Sequence, residues 1–77
     1  MTNTEKLNIY IQASGFKKSY IAMKLGINPA TLARKINSVQ EFRAREISAL
    51  CELLDIKTLA EKEAIFFAPE VAETATK

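Results

Sequence analysis

The sequence predicts an all-α fold, and three observations point to it. Apolar side chains recur three and four residues apart along most of the chain, the spacing that places them on one side of a helix. Only two glycines and two prolines occur in 77 residues, so long segments contain no helix breaker. No segment alternates apolar and polar residues over a useful strand length. We therefore expect a compact bundle of five helices.

The first helix is predicted between two local signals. Leu7 and Ile11 belong to an apolar stripe that begins after Asn3 or Thr4. Gly15 follows the stripe and predicts the helix end, because glycine readily adopts the left-handed conformation found there.

The second helix carries Ile21, Ala22 and Leu25 on its inner face and ends at Gly26. Between the first two helices, we expect Phe16 to return to the core.

The third helix has the clearest start. Asn28 is a favoured N-cap residue, and Pro29 occupies the first helical position, where proline is best tolerated. Leu32 and Ile36 supply its inner face. A polar loop, residues 37–41, follows it.

The last two helices are predicted from spacing and capping signals. The fourth carries four apolar residues at helical spacing: Ile47, Leu50, Cys51 and Leu54. Cys51 lies on this stripe, which favours a buried structural thiol over a reactive one. Thr58 and Glu61 have the spacing of a capping box, which predicts the start of a fifth helix. That helix should run to Ala68 and stop before Pro69.

Length and composition narrow the classes of function. We expect one domain over residues 1–68 and a loose tail over residues 69–77. A domain this small buries only about 60% of its unfolded surface, which leaves little core for a catalytic cleft. The chain has no histidine and one cysteine, so it lacks the ligand clusters of zinc sites and the usual proton shuttle. We expect no enzyme, cofactor, metal or small-molecule ligand.

The predicted location is the cytoplasm, with no membrane partner. The longest apolar run, residues 64–68, is far too short to cross a bilayer. The first residues lack the basic and apolar regions of a signal peptide.

Charge is distributed unevenly along the chain. Residues 1–45 contain eight basic and two acidic residues, whereas residues 46–77 contain three basic and seven acidic residues. This pattern fits a molecule that presents one face to a polyanion. Charge alone leaves open the alternative of a solvated surface whose charges segregate by chance.

Residues 17–37, KKSYIAMKLGINPATLARKIN, satisfy the steric demands of a helix-turn-helix. Ala22 is small where the two helices touch, and Gly26 suits the sharp turn four residues later. Ile27 can fill the turn, and Leu32 can contact Ala22 from the next helix. The segment therefore predicts a unit that binds in a DNA groove.

The sequence resembles the short Cro-like regulators of bacteriophages and prophages, within the lambda-repressor-like family. The resemblance runs from Leu7 to about Thr76. Four segments carry it: SGFKKSYIA at residues 14–22, LGI with TL at residues 25–32, Phe42 with Ile47 and LCELL at residues 42–54, and IFFA with Val71 and Thr76 at residues 65–76. It implies a five-helix repressor of double-stranded operator DNA that acts as a homodimer, formed in solution or only on DNA.

The resemblance also assigns roles to individual positions. The implied base-reading residues are Pro29, Ala30, Thr31, Ala33 and Arg34. The implied phosphate contacts are Lys17, Lys18, Asn28, Lys35, Asn37, Ser38 and Arg43. Arg34 alone in the first set can bind guanine O6 and N7 through two hydrogen bonds, while the small residues offer apolar contact to thymine methyls.

Two departures from the family pattern concern helix starts. Lys17 and Lys18 stand where the family has Ser or Thr followed by Gln, and Arg43 replaces a Ser or Thr cap. Each change loses a capping hydrogen bond worth about 1 kcal/mol. Each also adds positive charge, which opposes the helix dipole unless a phosphate lies nearby.

The candidate dimer contacts are Phe66 and Phe67. Adjacent helical residues point about 100° apart, so one inner face cannot easily hold both rings. We expect Phe66 to pack mainly inside and Phe67 to contribute to self-association.

Two other functions fit the same residues. The chain could modulate another repressor through protein contacts with no DNA binding of its own, or it could be the DNA-binding antitoxin of a toxin pair. Titration with duplex DNA tests the first alternative, because a modulator of this kind would show no affinity for duplex. A neighbouring toxin gene would indicate the second.

Overall fold

The computed structural model describes residues 1–68, and five α-helices lie within that range. They are α1 (Thr4–Ser14), α2 (Lys18–Leu25), α3 (Pro29–Ile36), α4 (Ala44–Leu54) and α5 (Leu59–Phe66). No strand occurs among these residues. The predicted all-α, five-helix fold is confirmed. The predicted tail, residues 69–77, lies outside the described residues.

The predicted helix boundaries of α1 and α2 are confirmed in atomic detail. The Asn3 side chain accepts a hydrogen bond from the backbone N–H of Lys6 at 3.1 Å and so caps α1. Gly15 and Gly26 close α1 and α2 with φ angles of 77° and 73°. A residue with a Cβ is strained at such angles, which explains glycine at both positions.

Every helix contributes one large, fully enclosed side chain to the core. These residues are Leu7, Ile21, Leu32, Leu50 and Ile65, each at most 1% exposed. The extensive helix packing joins α2 to α3 and α4, and joins α1 to α3, α4 and α5. Because α3 packs on both α1 and α2, its inner face is buried and its outer face remains in solvent.

The start of the chain, up to the first residue of α1, ties together two distant parts of the fold. The backbone N–H of Asn3 donates to the Ile65 carbonyl at 2.6 Å, and the Thr4 hydroxyl donates to the Ile36 carbonyl at 2.6 Å. Thr2, between them and the amino terminus, is buried. This segment therefore bridges the end of α5 and the end of α3, which sequence patterns did not predict.

Two aromatic residues differ from expectation. Phe16 does not enter the core: its ring is 39% exposed and stacks against Tyr20 with centroids 5.0 Å apart. Phe16 lies in the short loop between α1 and α2, which leaves it on the surface. The fifth helix also ends earlier than predicted, at Phe66, so that Phe67 serves as its C-cap.

Cys51 lies where the apolar stripe of α4 predicts it. Its side chain is half-buried and packs against the core. Burial raises the pKa of the thiol, although the nearby charge of Lys62 opposes this shift. A raised pKa disfavours the thiolate, in keeping with a structural role.

Candidate nucleic-acid interface

The turn between α2 and α3 has the geometry that the sequence predicts for a helix-turn-helix. Ala22 and Leu32 are each 1% exposed, as a close helix contact requires. The backbone N–H of Ile27 donates to the Ala22 carbonyl at 3.0 Å, and the Ile27 side chain packs against the core. Together with left-handed Gly26, these contacts fix the angle at which α3 leaves α2.

The start of α3 is capped by a side chain. Asn28 Oδ1 accepts hydrogen bonds from the backbone N–H groups of Ala30 at 2.8 Å and Thr31 at 3.1 Å. Pro29 follows at the first helical position, where its missing N–H costs nothing. The predicted cap is therefore confirmed, and α3 begins at a fixed point beside the turn.

The predicted base-reading residues share the outer face of α3. Pro29, Ala30, Ala33 and Arg34 are exposed, and Thr31 is half-buried. The Arg34 guanidinium donates to the Thr31 hydroxyl at 3.3 Å. In this conformation the long Arg34 side chain lies along the helix, on a face that also exposes small residues. Such a surface can approach a groove closely while Arg34 reaches a base edge.

Lys35 does not have the exposed position predicted for a phosphate contact. Its ammonium lies 2.6 Å from the Glu46 carboxylate, and the two side chains are only 8% and 3% exposed. A buried amine engaged with a carboxylate is not presented to a phosphate, so this assignment is corrected. The stripe of α3 that faces the core extends far enough around the helix to include Lys35.

Glu46, which sequence reasoning missed, connects Lys35 to the start of α4. Its Oε1 atom also accepts a hydrogen bond from the backbone N–H of Arg43 at 2.9 Å. Burial by itself would raise the pKa of Glu46, but hydrogen bonds from Lys35 and Arg43, with their positive charges, lower it overall. A glutamate three residues after a helix start was the available signal, since it reaches back to the N-cap backbone.

The other predicted phosphate contacts lie mostly on the surface. Lys17, Lys18, Asn28, Asn37 and Arg43 are exposed, and Ser38 is half-buried. Lys17 and Arg43 occupy the N-cap positions of α2 and α4 without a side-chain capping hydrogen bond to the helix. Ser38 has a φ of 64°, and its hydroxyl oxygen accepts from the backbone N–H of Thr2 at 3.1 Å. Three exposed cations therefore remain candidates for phosphate binding: Lys17, Lys18 and Arg43.

The two candidate dimer residues differ in burial. Phe66 is 2% exposed and meets Phe42 edge to face, with ring centroids 5.6 Å apart. It completes the core and is not a surface for a partner, which corrects its assignment as a dimer contact. Phe67 is 59% exposed, and Leu59 at the other end of α5 is 66% exposed.

Within residues 1–68, no three His, Cys, Asp or Glu side chains form a group able to hold a metal ion. No helix in that range has the length and apolar character needed to cross a bilayer.

A family comparison agrees with this geometry. The family model of the Cro/C1-type HTH DNA-binding domain matches residues 6–61, which include the helix-turn-helix and all of α4. Comparisons with curated proteins and with solved structures give no match. The chain therefore belongs to the Cro/C1-type helix-turn-helix DNA-binding domain family, and it is a DNA-binding transcriptional regulator.

Proposed function

We propose that this protein is a repressor of the phage Cro-like kind that binds double-stranded operator DNA through the outer face of α3. The observation that carries the proposal is the exposed Arg34 side chain, aligned by Thr31 on a helix face of small residues. That face fits the major groove, where arginine distinguishes guanine by paired hydrogen bonds to O6 and N7.

The phosphate contacts are proposed to come from the residues around the α2 and α4 starts. Lys17 and Lys18 lie at one of these starts, and Arg43 lies at the other. Backbone N–H groups at helix starts also favour anions. Three polar residues, Asn28, Asn37 and Ser38, are the proposed uncharged contacts. These interactions fix the position of α3 on the duplex and carry little sequence information.

A homodimer is proposed because one short helix reads few base pairs. Phe67 and Leu59 expose apolar surface at the two ends of α5, and such surface commonly marks a protein contact. A symmetric dimer would place two copies of α3 about 34 Å apart, one turn of DNA, and would read a palindrome. Bound at a promoter, this dimer would repress by excluding RNA polymerase.

Selection of bound duplexes from a random pool tests the proposal. We expect recovery of a short palindromic consensus with guanine at the position that faces Arg34, followed by tighter binding to that consensus than to scrambled duplex. Phe67→Ala should raise the dissociation constant of the dimer in sedimentation experiments while leaving the fold intact. Absence of any duplex binding would contradict the proposal and would instead favour a modulator that acts on another repressor.

A further inference from the structure

The buried ion pair between Lys35 and Glu46 is unusual in so small a core. The Lys35 ammonium and the Glu46 carboxylate lie 2.6 Å apart, and both side chains are almost fully enclosed. In the part of the chain that the structure describes, α3 and α4 do not form one of the extensive helix pairs. The ion pair therefore provides a direct polar link between the proposed reading helix and α4.

The ion pair constrains the orientation of α3 relative to α4 more strictly than apolar packing does, because its hydrogen bonds depend on direction. Two buried charges must leave water, and replacing such a pair by apolar residues is often neutral or stabilising. The pair is therefore poorly explained by stability alone. Glu46 accepts from both Lys35 and the Arg43 backbone through one oxygen atom, so the position of the carboxylate is fixed by α4 itself.

Lys35 and Arg34 are adjacent on α3, so their directions are coupled. Successive residues of a helix point about 100° apart, and fixing the direction of Lys35 fixes that of Arg34. Rotation of α3 by even part of this angle would move the Arg34 fork away from a base edge. Bidentate contacts tolerate little error in orientation.

We propose that Lys35 and Glu46 are a positioning pair, which orients α3 so that its outer face discriminates between base pairs. The inference rests on the proposed function, since it assumes that α3 reads DNA. It assigns no DNA contact to Lys35. Loss of the pair should lower sequence discrimination while leaving general duplex affinity in place.

Lys35→Met and Lys18→Met form a matched test, because each removes one lysine charge. Binding to the selected operator and to scrambled duplex is measured over a range of salt concentrations, at a temperature where circular dichroism shows each variant folded. Lys18→Met should weaken both duplexes equally and reduce the salt slope by about one. Lys35→Met should leave the slope unchanged and reduce the ratio of operator to scrambled affinity roughly tenfold, within the range for one lost base contact.

The double variant Lys35→Met/Glu46→Gln separates positioning from stability. Glutamine retains an acceptor for the Arg43 N–H, and no unpaired buried charge remains. We expect its melting temperature to exceed that of Lys35→Met while its discrimination stays low. Discrimination that recovers with the melting temperature would overturn the inference, as would a salt slope reduced by one in Lys35→Met.

The wild-type protein distinguishes this inference from the function on which it rests. If Lys35→Met and the double variant both discriminate as well as the wild type, only the positioning role is excluded. If the wild-type protein binds operator and scrambled duplex equally, the proposed function and the inference are both excluded.

Discussion

Two adjacent residues of the same chemical type lie in opposite surroundings both on α3, the proposed reading helix, and at the end of α5, where Phe67 is the C-cap. On α3, Arg34 is exposed, whereas Lys35 is buried against Glu46. On α5, Phe66 is buried against Phe42, and its neighbour Phe67 is exposed. The type of a residue therefore does not by itself predict whether it is buried or exposed in this protein.

The two buried members also need different partners. Phe66 requires only an apolar neighbour, which the T-shaped contact with Phe42 provides. Lys35 requires a carboxylate, because an unpaired buried charge is strongly destabilising. The exposed members differ in the same way: Arg34 suits a base edge or phosphate, and Phe67 suits an apolar protein surface.

The largest expected effect concerns the two phenylalanines. Phe66→Ala should lower the free energy of unfolding by about 3–5 kcal/mol, since it removes a fully buried ring and leaves a cavity. Phe67→Ala, the matched control, should change it by no more than about 0.5 kcal/mol, the usual range for surface positions. Urea denaturation at low protein concentration measures both. Equal losses for the two variants would contradict the contrast between buried and exposed rings.

The next effect concerns the proposed recognition of DNA by Arg34. Arg34→Ala should cost about 1–3 kcal/mol of discrimination at a single base pair. Arg34→Lys sharpens the test, because lysine keeps the charge but lacks the planar fork that binds guanine. It should lose most of the discrimination and keep the salt slope of the wild type. Titration against duplexes with each base substituted at that position would show this, and full discrimination in Arg34→Lys would exclude a bidentate role.

A smaller effect tests how the start of α3 is held, as Lys35 is proposed to hold its end. Asn28→Ala should lower the free energy of unfolding by about 1 kcal/mol, because two N–H groups lose their capping acceptor. Asn37→Ala is the control, since Asn37 is exposed at the opposite end of the helix. Thermal denaturation should separate the two variants, and an unchanged melting temperature in Asn28→Ala would contradict the importance of the cap.

The smallest expected effect is the pH dependence that Glu46 contributes. Its pKa is lowered below the ordinary value of 4.5, so the folded state binds a proton there less readily than the unfolded state. The resulting stability is present above about pH 4.5 and is lost as pH falls through the lowered pKa. Burial opposes the hydrogen bonds at Glu46 and so reduces this contribution. The double variant Lys35→Met/Glu46→Gln, which leaves no unpaired buried charge, should show a shallower acid-induced fall in melting temperature than the wild type. An equally steep fall would contradict this contribution of Glu46.

Local signals predicted much of the fold. The cap at Asn28 and the turn at Gly26 depend on residues within a few positions of each other, so the sequence carries them directly. The ion pair at Lys35 depends on a partner eleven residues away, across a loop whose path periodicity does not specify. The same limit applies to Thr2, which is buried only because the chain folds it against distant elements.

The candidate site was predictable to a similar extent. The outer face of α3 follows from helical spacing once its inner residues, Leu32 and Ile36, are known. Lys35 lies at the margin of that inner face, where spacing alone does not distinguish a solvated lysine from a buried one. The long aliphatic part of lysine suits either position, and a carboxylate on α4 decides between them.

The salt dependence of duplex binding by the unmodified protein tests the central claim most directly. The claim is that the face formed by α3 and the starts of α2 and α4 binds the DNA backbone while α3 reads bases. With Lys17, Lys18 and Arg43 as the charged contacts, the slope of log affinity against log salt should be about −3 per protomer. Affinity that does not change between about 50 and 200 mM salt would contradict it.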